Sequence, residues 1–163
     1  MEHSVEWQEE FLRVKKDMIH ATHIQQDRIE HIGSTAIKGI VAKPILDLLV
    51  GVDDIENVEK NIFQGLKKVG FLRLRVQRPD EIILAKFKDD TYEIKTHYIH
   101  MVEYNKDLWR SLIFFRDYLN THQAAREEYQ QLKMQFTKQN KSGIDDYTNY
   151  KERFVKEIIG RKT

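Results

Sequence analysis

The residues best suited to chemistry are a small polar turn and an acid that follows it. Gly33, Ser34 and Thr35 end one apolar run, and Asp47 is the one charged residue of a second apolar run, residues 44–52. Glycine lets the backbone approach a ligand closely, and the adjacent hydroxyls and amides can point at a polyphosphate. A charge inside an apolar strand is costly unless it is paired, hydrogen-bonded or bound to a cation. The pattern predicts a phosphate site with a metal-binding acid beside it.

Plainer interpretations fit the same residues. The turn at residues 33–35 is also typical of a helix cap, and Asp47 can pair with Lys43 instead of a metal. His31 precedes the glycine by two residues. Its ring can contact a phosphate or Asp47, or it can be a hydrogen-bonded residue that supports the turn from behind. The sequence leaves these alternatives open.

The elements that must position these residues follow from the hydrophobic pattern. An amphipathic helix begins after a cap at Ser4 and carries the apolar residues Trp7, Phe11, Leu12, Val14 and Met18. Strands are predicted at residues 28–33, 44–52, 71–77, 81–88 and 92–103. Further helices are predicted at residues 53–69, 106–120, 123–139 and 145–160. The last three strands are joined by connections too short for crossovers, which predicts an antiparallel meander.

This order of elements predicts one α+β domain over residues 1–163, strand-rich over 24–104 and helical over 105–161. We expect a mixed or antiparallel sheet with helices packed on one side and a C-terminal helical segment. Tyr129, Leu132 and Phe136 have the spacing of a core stripe, and Trp109 and the Phe114–Phe115 pair are also interpreted as core.

Composition excludes several classes of protein. The 163 residues contain 40% hydrophobic and 33% charged residues, which is typical of a soluble globular domain. The chain has no cysteine, so disulfides, thiolate nucleophiles and cysteine-bound metals are excluded. No apolar run approaches the length of a membrane span, and we expect a cytoplasmic protein. A formal net charge of +1 argues against a generic nucleic-acid binder.

Residues 31–47 (HIGSTAIKGIVAKPILD) resemble the signature of the GrpB-like family, a group of bacterial proteins in the nucleotidyltransferase superfamily. Three later motifs follow in the order typical of that family: FRDYL at residues 115–119, YQQLK at 129–133 and YTNYK at 147–151. The resemblance covers most of the chain, from about residue 7 to residue 159. It implies a nucleotidyltransferase-like fold with a nucleotide between the sheet and the C-terminal helices.

The resemblance also implies which residues line that cleft. Basic side chains would neutralise phosphate charge, and a tyrosine could stack on a base. The candidates are Lys43, Arg116, Lys133, Lys151, Tyr147 and Tyr150. For each lysine a solvated position is the plainer interpretation, and Arg116 and Asp117 can form a surface or interhelical pair.

The chain departs from the superfamily pattern at the acids. Superfamily members that transfer nucleotides carry two acids one residue apart on one strand, and Leu49 occupies the second position here. Glu93, placed on a later strand, is the candidate third acid. The family's His-Leu-His run reads Tyr98-Ile99-His100, preceded by His97. His97 and His100 are expected to point to opposite faces of a regular strand, and Glu93 or His100 is the candidate to hold Mg²⁺ together with Asp47.

Three hypotheses for function remain. The first is a nucleotidyltransferase that binds a nucleoside triphosphate with Mg²⁺, with Asp47 as metal ligand and Glu93 and His100 as further catalytic groups. The second is a module that binds a nucleotide or another phosphorylated small molecule and has lost metal chemistry, for which Leu49 is the direct argument. The third is an interaction domain without a ligand. The acceptor, the preferred base and the oligomeric state do not follow from the sequence.

Overall fold

Among the residues that the structure describes, the fold is built on a mixed five-stranded sheet. The computed structural model describes residues 5–40, 44–76, 78–139 and 143–162, with side chains up to Gln135 and again from Lys151. The strands are β1 (Ile29–Ile32), β2 (Leu46–Val52), β3 (Leu72–Arg73), β4 (Ile82–Phe87) and β5 (Lys95–Glu103). Their spatial order is β1-β2-β5-β4-β3, in which β2 and β5 are parallel and every other pair is antiparallel. The prediction of an α+β fold with a mixed sheet is therefore confirmed.

In the described part of the chain five α-helices accompany the sheet: α1 (Val5–Thr22), α2 (Lys60–Lys68), α3 (Asp107–Thr121), α4 (Gln123–Gln139) and α5 (Gly143–Ile159). They cover both faces, which corrects the expectation that they pack on one side. One face of β2 packs Leu48 and Val50 against α1 and α2. The other face packs Leu49 against Trp109 of α3. Both faces of β2 are apolar because the strand lies inside the sheet and is covered on each side.

The elements differ from the predicted ones mainly at their ends. The Asp54 carboxylate accepts hydrogen bonds from the Glu56 amide and the Asn57 side chain, so α2 begins only at Lys60 rather than at residue 53. The third strand shortens to two residues. A turn at Asp89 delays β5 to Lys95, because the Asp89 side chain binds the amide and the hydroxyl of Thr91. The meander of β3, β4 and β5 is confirmed.

The predicted cap at Ser4 and the core position of Phe136 lie outside the described residues and side chains. Of the core stripe, Tyr129 is buried in a cluster with Leu119 and Phe154, and Leu132 packs against this cluster partly buried. Among the described residues, no helix is both long and apolar enough to cross a membrane.

The contact between α1 and α2 depends on a glycine. A Cβ added at Gly65 would lie 2.4 Å from the carbonyl oxygen of Ala21, a distance that backbone atoms cannot tolerate. Alanine normally stabilises a helix relative to glycine, by about 1 kcal/mol. Here we expect Gly65→Ala to lower the free energy of unfolding by about 1–3 kcal/mol, because the two helices must separate. Urea unfolding followed by circular dichroism measures the change.

Gln64→Ala is the matched control, because Gln64 is the exposed neighbour on the same helix. It should change stability by less than about 0.5 kcal/mol. If Gly65→Ala proves as stable as the parent protein, the close helix contact does not exist.

Candidate functional site

The glycine turn and the acid are in direct contact. Gly33 has φ +78°, and a Cβ at this position would lie 2.4 Å from Oδ2 of Asp47. The antiparallel register of β1 and β2 brings them together by pairing Ile32 with Asp47. Glycine is therefore required twice at position 33, once for its backbone conformation and once for the space that the carboxylate occupies.

The residues after Gly33 form one 3₁₀ turn, Ser34–Ala36, rather than the start of an α-helix. Its hydrogen bonds run from the Ala36 amide to the Gly33 carbonyl and from the Ile37 amide to the Ser34 carbonyl. The amides of Ser34 and Thr35 thus have no acceptor within the turn itself. A single short turn lacks the aligned dipoles of a long helix, so any anion here would depend on individual donors and cations.

Thr35 and His31 support the turn from inside. Thr35 is fully buried, and its hydroxyl lies 2.8 Å from Nε2 of His31. The hydroxyl that was predicted to face a phosphate therefore faces the histidine instead. The His31 ring stacks on Phe11 of α1, with ring centroids 5.0 Å apart. This geometry matches the plainer interpretation of His31 as a group behind the turn.

Helix α4 brings a cation to the turn. Lys133 Nζ donates a hydrogen bond to the Ser34 hydroxyl and lies 4.7 Å from the centroid of the Tyr129 ring. Burial raises the pKa of Tyr129 to about 12, aided by the charge of Asp47 and opposed by a hydrogen bond with Ser34. These contacts join α4, the turn and the acid in one cluster, although Lys133 and Ser34 are 99 positions apart in the sequence.

Beyond Asp47, the side chains of His100, Glu81 and Arg78 follow in a row in which positive and negative charges alternate. Nε2 of His100 lies 3.1 Å from Oδ1 of Asp47, and Nδ1 of the same ring lies 3.0 Å from Oε2 of Glu81. Oε1 of Glu81 accepts a hydrogen bond of 2.9 Å from Arg78. The side chains of Asp47 and His100 are each 25% exposed, whereas that of Glu81 is only 7% exposed.

The carboxylates determine the charge of the histidine. Burial alone would lower the pKa of His100, but hydrogen bonds and charge from Asp47 and Glu81 outweigh it and raise this pKa to about 9. Burial likewise opposes ionisation of Glu81, yet His100 and Arg78 bring its pKa below the usual value. The ring is therefore a cation at neutral pH and donates to both carboxylates.

The remaining site residues predicted on β5 lie on different faces of the sheet. His97 points to the opposite face from His100, as predicted, and bonds Glu10 of α1 at 2.8 Å. Tyr98 shares the face of His100, with ring centroids 6.3 Å apart. Glu93 was wrongly placed on this strand, because it lies in the exposed loop before Lys95. It is five positions before Tyr98, the partner of Asp47 in the sheet register.

The predicted basic residues separate into distinct groups. Arg116 donates to Asp117 through Nε and to the Glu30 carboxylate and the His31 carbonyl through Nη1, so it connects α3 to β1. Lys151 is exposed on α5. Lys43 lies outside the described residues, as do the side chains of Tyr147 and Tyr150. Of the predicted cations, Lys133 is the one that the described part of the chain brings to the turn.

Glu81, Arg78 and Tyr129 were missed as site residues by sequence reasoning. Glu81 stands immediately before the apolar run of β4, much as Asp47 stands inside the apolar run of β2. An acid at the entry of a strand predicted to be buried was therefore the available signal. Arg78 carries no comparable signal, because an arginine in a turn is most often solvated.

These residues do not fit a two-metal centre. The position of a second acid on β2 is taken by Leu49, which is fully buried against Ile32 and Trp109. One oxygen of Asp47 and both oxygens of Glu81 already accept hydrogen bonds from cations. Among the described residues, no three His, Asp or Glu side chains are placed to hold a metal ion together.

Two cavities lie elsewhere, one of about 800 Å³ beside the end of α1 and one of about 420 Å³ beyond the end of β2. Neither is lined by Ser34, Asp47 or Lys133. The site at the turn is therefore defined by its charges and contacts and not by either of these cavities.

Comparison with known proteins gives relatives along the whole chain. The chain is 42% identical to the glutamate-rich protein GrpB of Alkalihalophilus pseudofirmus over 158 residues, which cover 96% of this chain and 91% of that protein. It is 29% identical to a UPF0157 protein of Halalkalibacterium halodurans over 161 residues, covering 99% and 80% of the two chains.

Comparison with solved structures also finds a GrpB protein. The crystal structure of the conserved protein GrpB from Enterococcus faecalis matches with a TM-score of 0.78 and 25% identity, covering 99% of this chain and 97% of that one. The Cid1 poly(U) polymerase, solved with MgGTP bound, matches with a TM-score of 0.51 and 17% identity. That match covers 80% of this chain and 41% of the polymerase, and it shows a shared nucleotidyltransferase-like fold. Because the family model described as GrpB protein also matches residues 1–161, this chain belongs to the GrpB family.

Proposed function

We propose that this protein binds a nucleotide or another phosphorylated small molecule at the Gly33–Ser34 turn, without two-metal chemistry. The observation that carries the proposal is the hydrogen bond from Lys133 to the Ser34 hydroxyl, which places a cation at a glycine turn. Phosphate oxygens are commonly bound by such a combination of backbone amides, a hydroxyl and a lysine.

The surrounding charges support an anion at this position. Asp47 would repel a phosphate, but the two positive charges of His100 and Arg78 match the two negative charges of Asp47 and Glu81. Lys133 brings a further positive charge to the turn, where it contacts the Ser34 hydroxyl and the Tyr129 ring. A phosphate at the turn would accept a charged hydrogen bond from this side chain.

Metal-dependent nucleotidyl transfer is the second candidate. It is favoured by the contact between Asp47 and the turn, because the superfamily pattern places a metal-binding acid beside the phosphate site. The Cid1 polymerase has been solved with Mg²⁺ and nucleotides, and it shares the fold. Two residues argue against this candidate. Buried Leu49 occupies the position where a second carboxylate would be needed, and His100 already neutralises the charge of Asp47.

Lys133 provides the first test. ATP, GTP, CTP and UTP are each added to the protein in EDTA, and stabilisation in a thermal shift assay identifies a ligand of the folded state. Isothermal titration calorimetry then compares the parent protein with Lys133→Met. We expect the variant to bind about 10- to 100-fold more weakly, because a charged hydrogen bond to the phosphate is lost.

Lys67→Met is the matched control, because Lys67 is exposed on α2 at the opposite face of the sheet. It should bind like the parent protein. An unchanged affinity in Lys133→Met would contradict the proposed phosphate position, and failure of all four nucleotides to stabilise the protein would favour an interaction domain.

Asp47→Asn separates the two candidates. If no metal is needed, the substitution removes a negative charge beside the phosphate and should tighten binding in EDTA, by about fivefold for roughly 1 kcal/mol of repulsion. If Asp47 binds Mg²⁺, the same substitution should weaken binding and abolish its dependence on Mg²⁺. Calorimetry with EDTA and with Mg²⁺ measures both effects, and Asp90→Asn in the exposed turn before β5 is the control.

A further inference from the structure

We propose that His100 is a built-in cation that occupies the place of a divalent metal between Asp47 and Glu81. The inference goes beyond ligand binding and holds whether or not a phosphate occupies the turn. Both ring nitrogens face carboxylate oxygens, at 3.1 Å for Asp47 and 3.0 Å for Glu81. A neutral imidazole has one N–H donor and an ionised carboxylate has none, so two such bonds require a ring with two donors.

Glu81 is held as an anion on its other side. Its Oε1 accepts a hydrogen bond from Arg78, which cannot lose its proton in a protein. His100 and Arg78 together bring two positive charges to two carboxylates. One divalent ion would supply the same charge, and here the protein supplies it from β5 and from the turn before β4.

The sheet register explains why a histidine can take this role in this chain. On β2, the residue paired with His100 is Leu49, which occupies the position of the second acid. On β4, the paired residue is Ile83. The ring therefore lies between two apolar residues. The acids that it contacts are Asp47, two residues before Leu49 on β2, and Glu81, which immediately precedes β4. Without an acid at position 49, a ring cation suffices where a metal would otherwise be needed.

The proposal is tested by Mn²⁺ titration of EDTA-treated protein, with free Mn²⁺ measured by electron paramagnetic resonance. The parent protein should show no Mn²⁺ site that depends on Asp47. His100→Ala should gain one, at least tenfold tighter than any binding by the parent, because a hydrated divalent ion can enter the vacated space and reach both carboxylates through its waters. The double variant His100→Ala, Asp47→Asn should lose the gain.

His97→Ala is the matched control, because it removes a histidine from the opposite face of the same strand, where Glu10 is its partner. The proposal is overturned if His97→Ala gains Mn²⁺ equally, if His100→Ala gains none, or if the parent binds Mn²⁺ in a manner that Asp47→Asn abolishes. These outcomes concern the metal alone, so they are independent of nucleotide affinity.

A second measurement decides the question if His100→Ala fails to fold. Long-range ¹H–¹⁵N correlation spectra of the parent protein at pH 7 report whether each ring nitrogen of His100 carries a proton. Two protonated nitrogens support the built-in cation. A ring with one protonated nitrogen overturns it, because the second carboxylate would then lack its donor.

Discussion

The site depends on how the protein accommodates one carboxylate in an apolar strand. Asp47 occupies β2, the strand between β1 and β5, where an unpaired charge would be costly. One side of its carboxylate fits against the α-carbon of Gly33, and the other accepts from His100. This arrangement requires a glycine just after β1, an acid on β2 and a histidine on β5. In the sheet register Asp47 pairs with Ile32, the residue before the glycine, and with Tyr98, which lies two residues before the histidine on the same face of β5.

The C-terminal helices α3, α4 and α5, which form the helical tail, complete the site by bringing Lys133 of α4 to the turn. Tyr129, one turn earlier on α4, stacks on Phe154 of α5 with nearly parallel rings 5.3 Å apart and meets Phe115 of α3 edge-on. This aromatic packing fixes α4 relative to the sheet, while Arg116 ties α3 to the carbonyl of His31. The cation at Ser34 is thus positioned by core packing, so damage to the tail would disturb the site even without touching β1 or β2.

Much of the fold was predictable from sequence, because long periodic segments and short connections leave few alternatives. The helices of the tail and the strands around Asp47 were predicted within a few residues. The contact between Gly33 and Asp47 was also anticipated, since a turn followed by an acid-bearing strand brings the two together. Local pattern could not show that Thr35 faces inward or that Glu81, rather than Glu93, approaches His100. The first depends on the direction in which the Thr35 side chain points, and the second depends on where β5 begins.

Leu49 connects the charge of the site to the packing of the tail. It is fully buried beneath α3, in a cluster with Ile32, Val102 and Trp109. An acid at this position would need either an opening toward water or a bound cation, because an isolated buried carboxylate is strongly unfavourable. In this chain the tail closes that opening with apolar side chains. The absence of a second acid and the close packing of α3 on the sheet are therefore coupled. Replacing Leu49 by aspartate alone would not rebuild a metal centre.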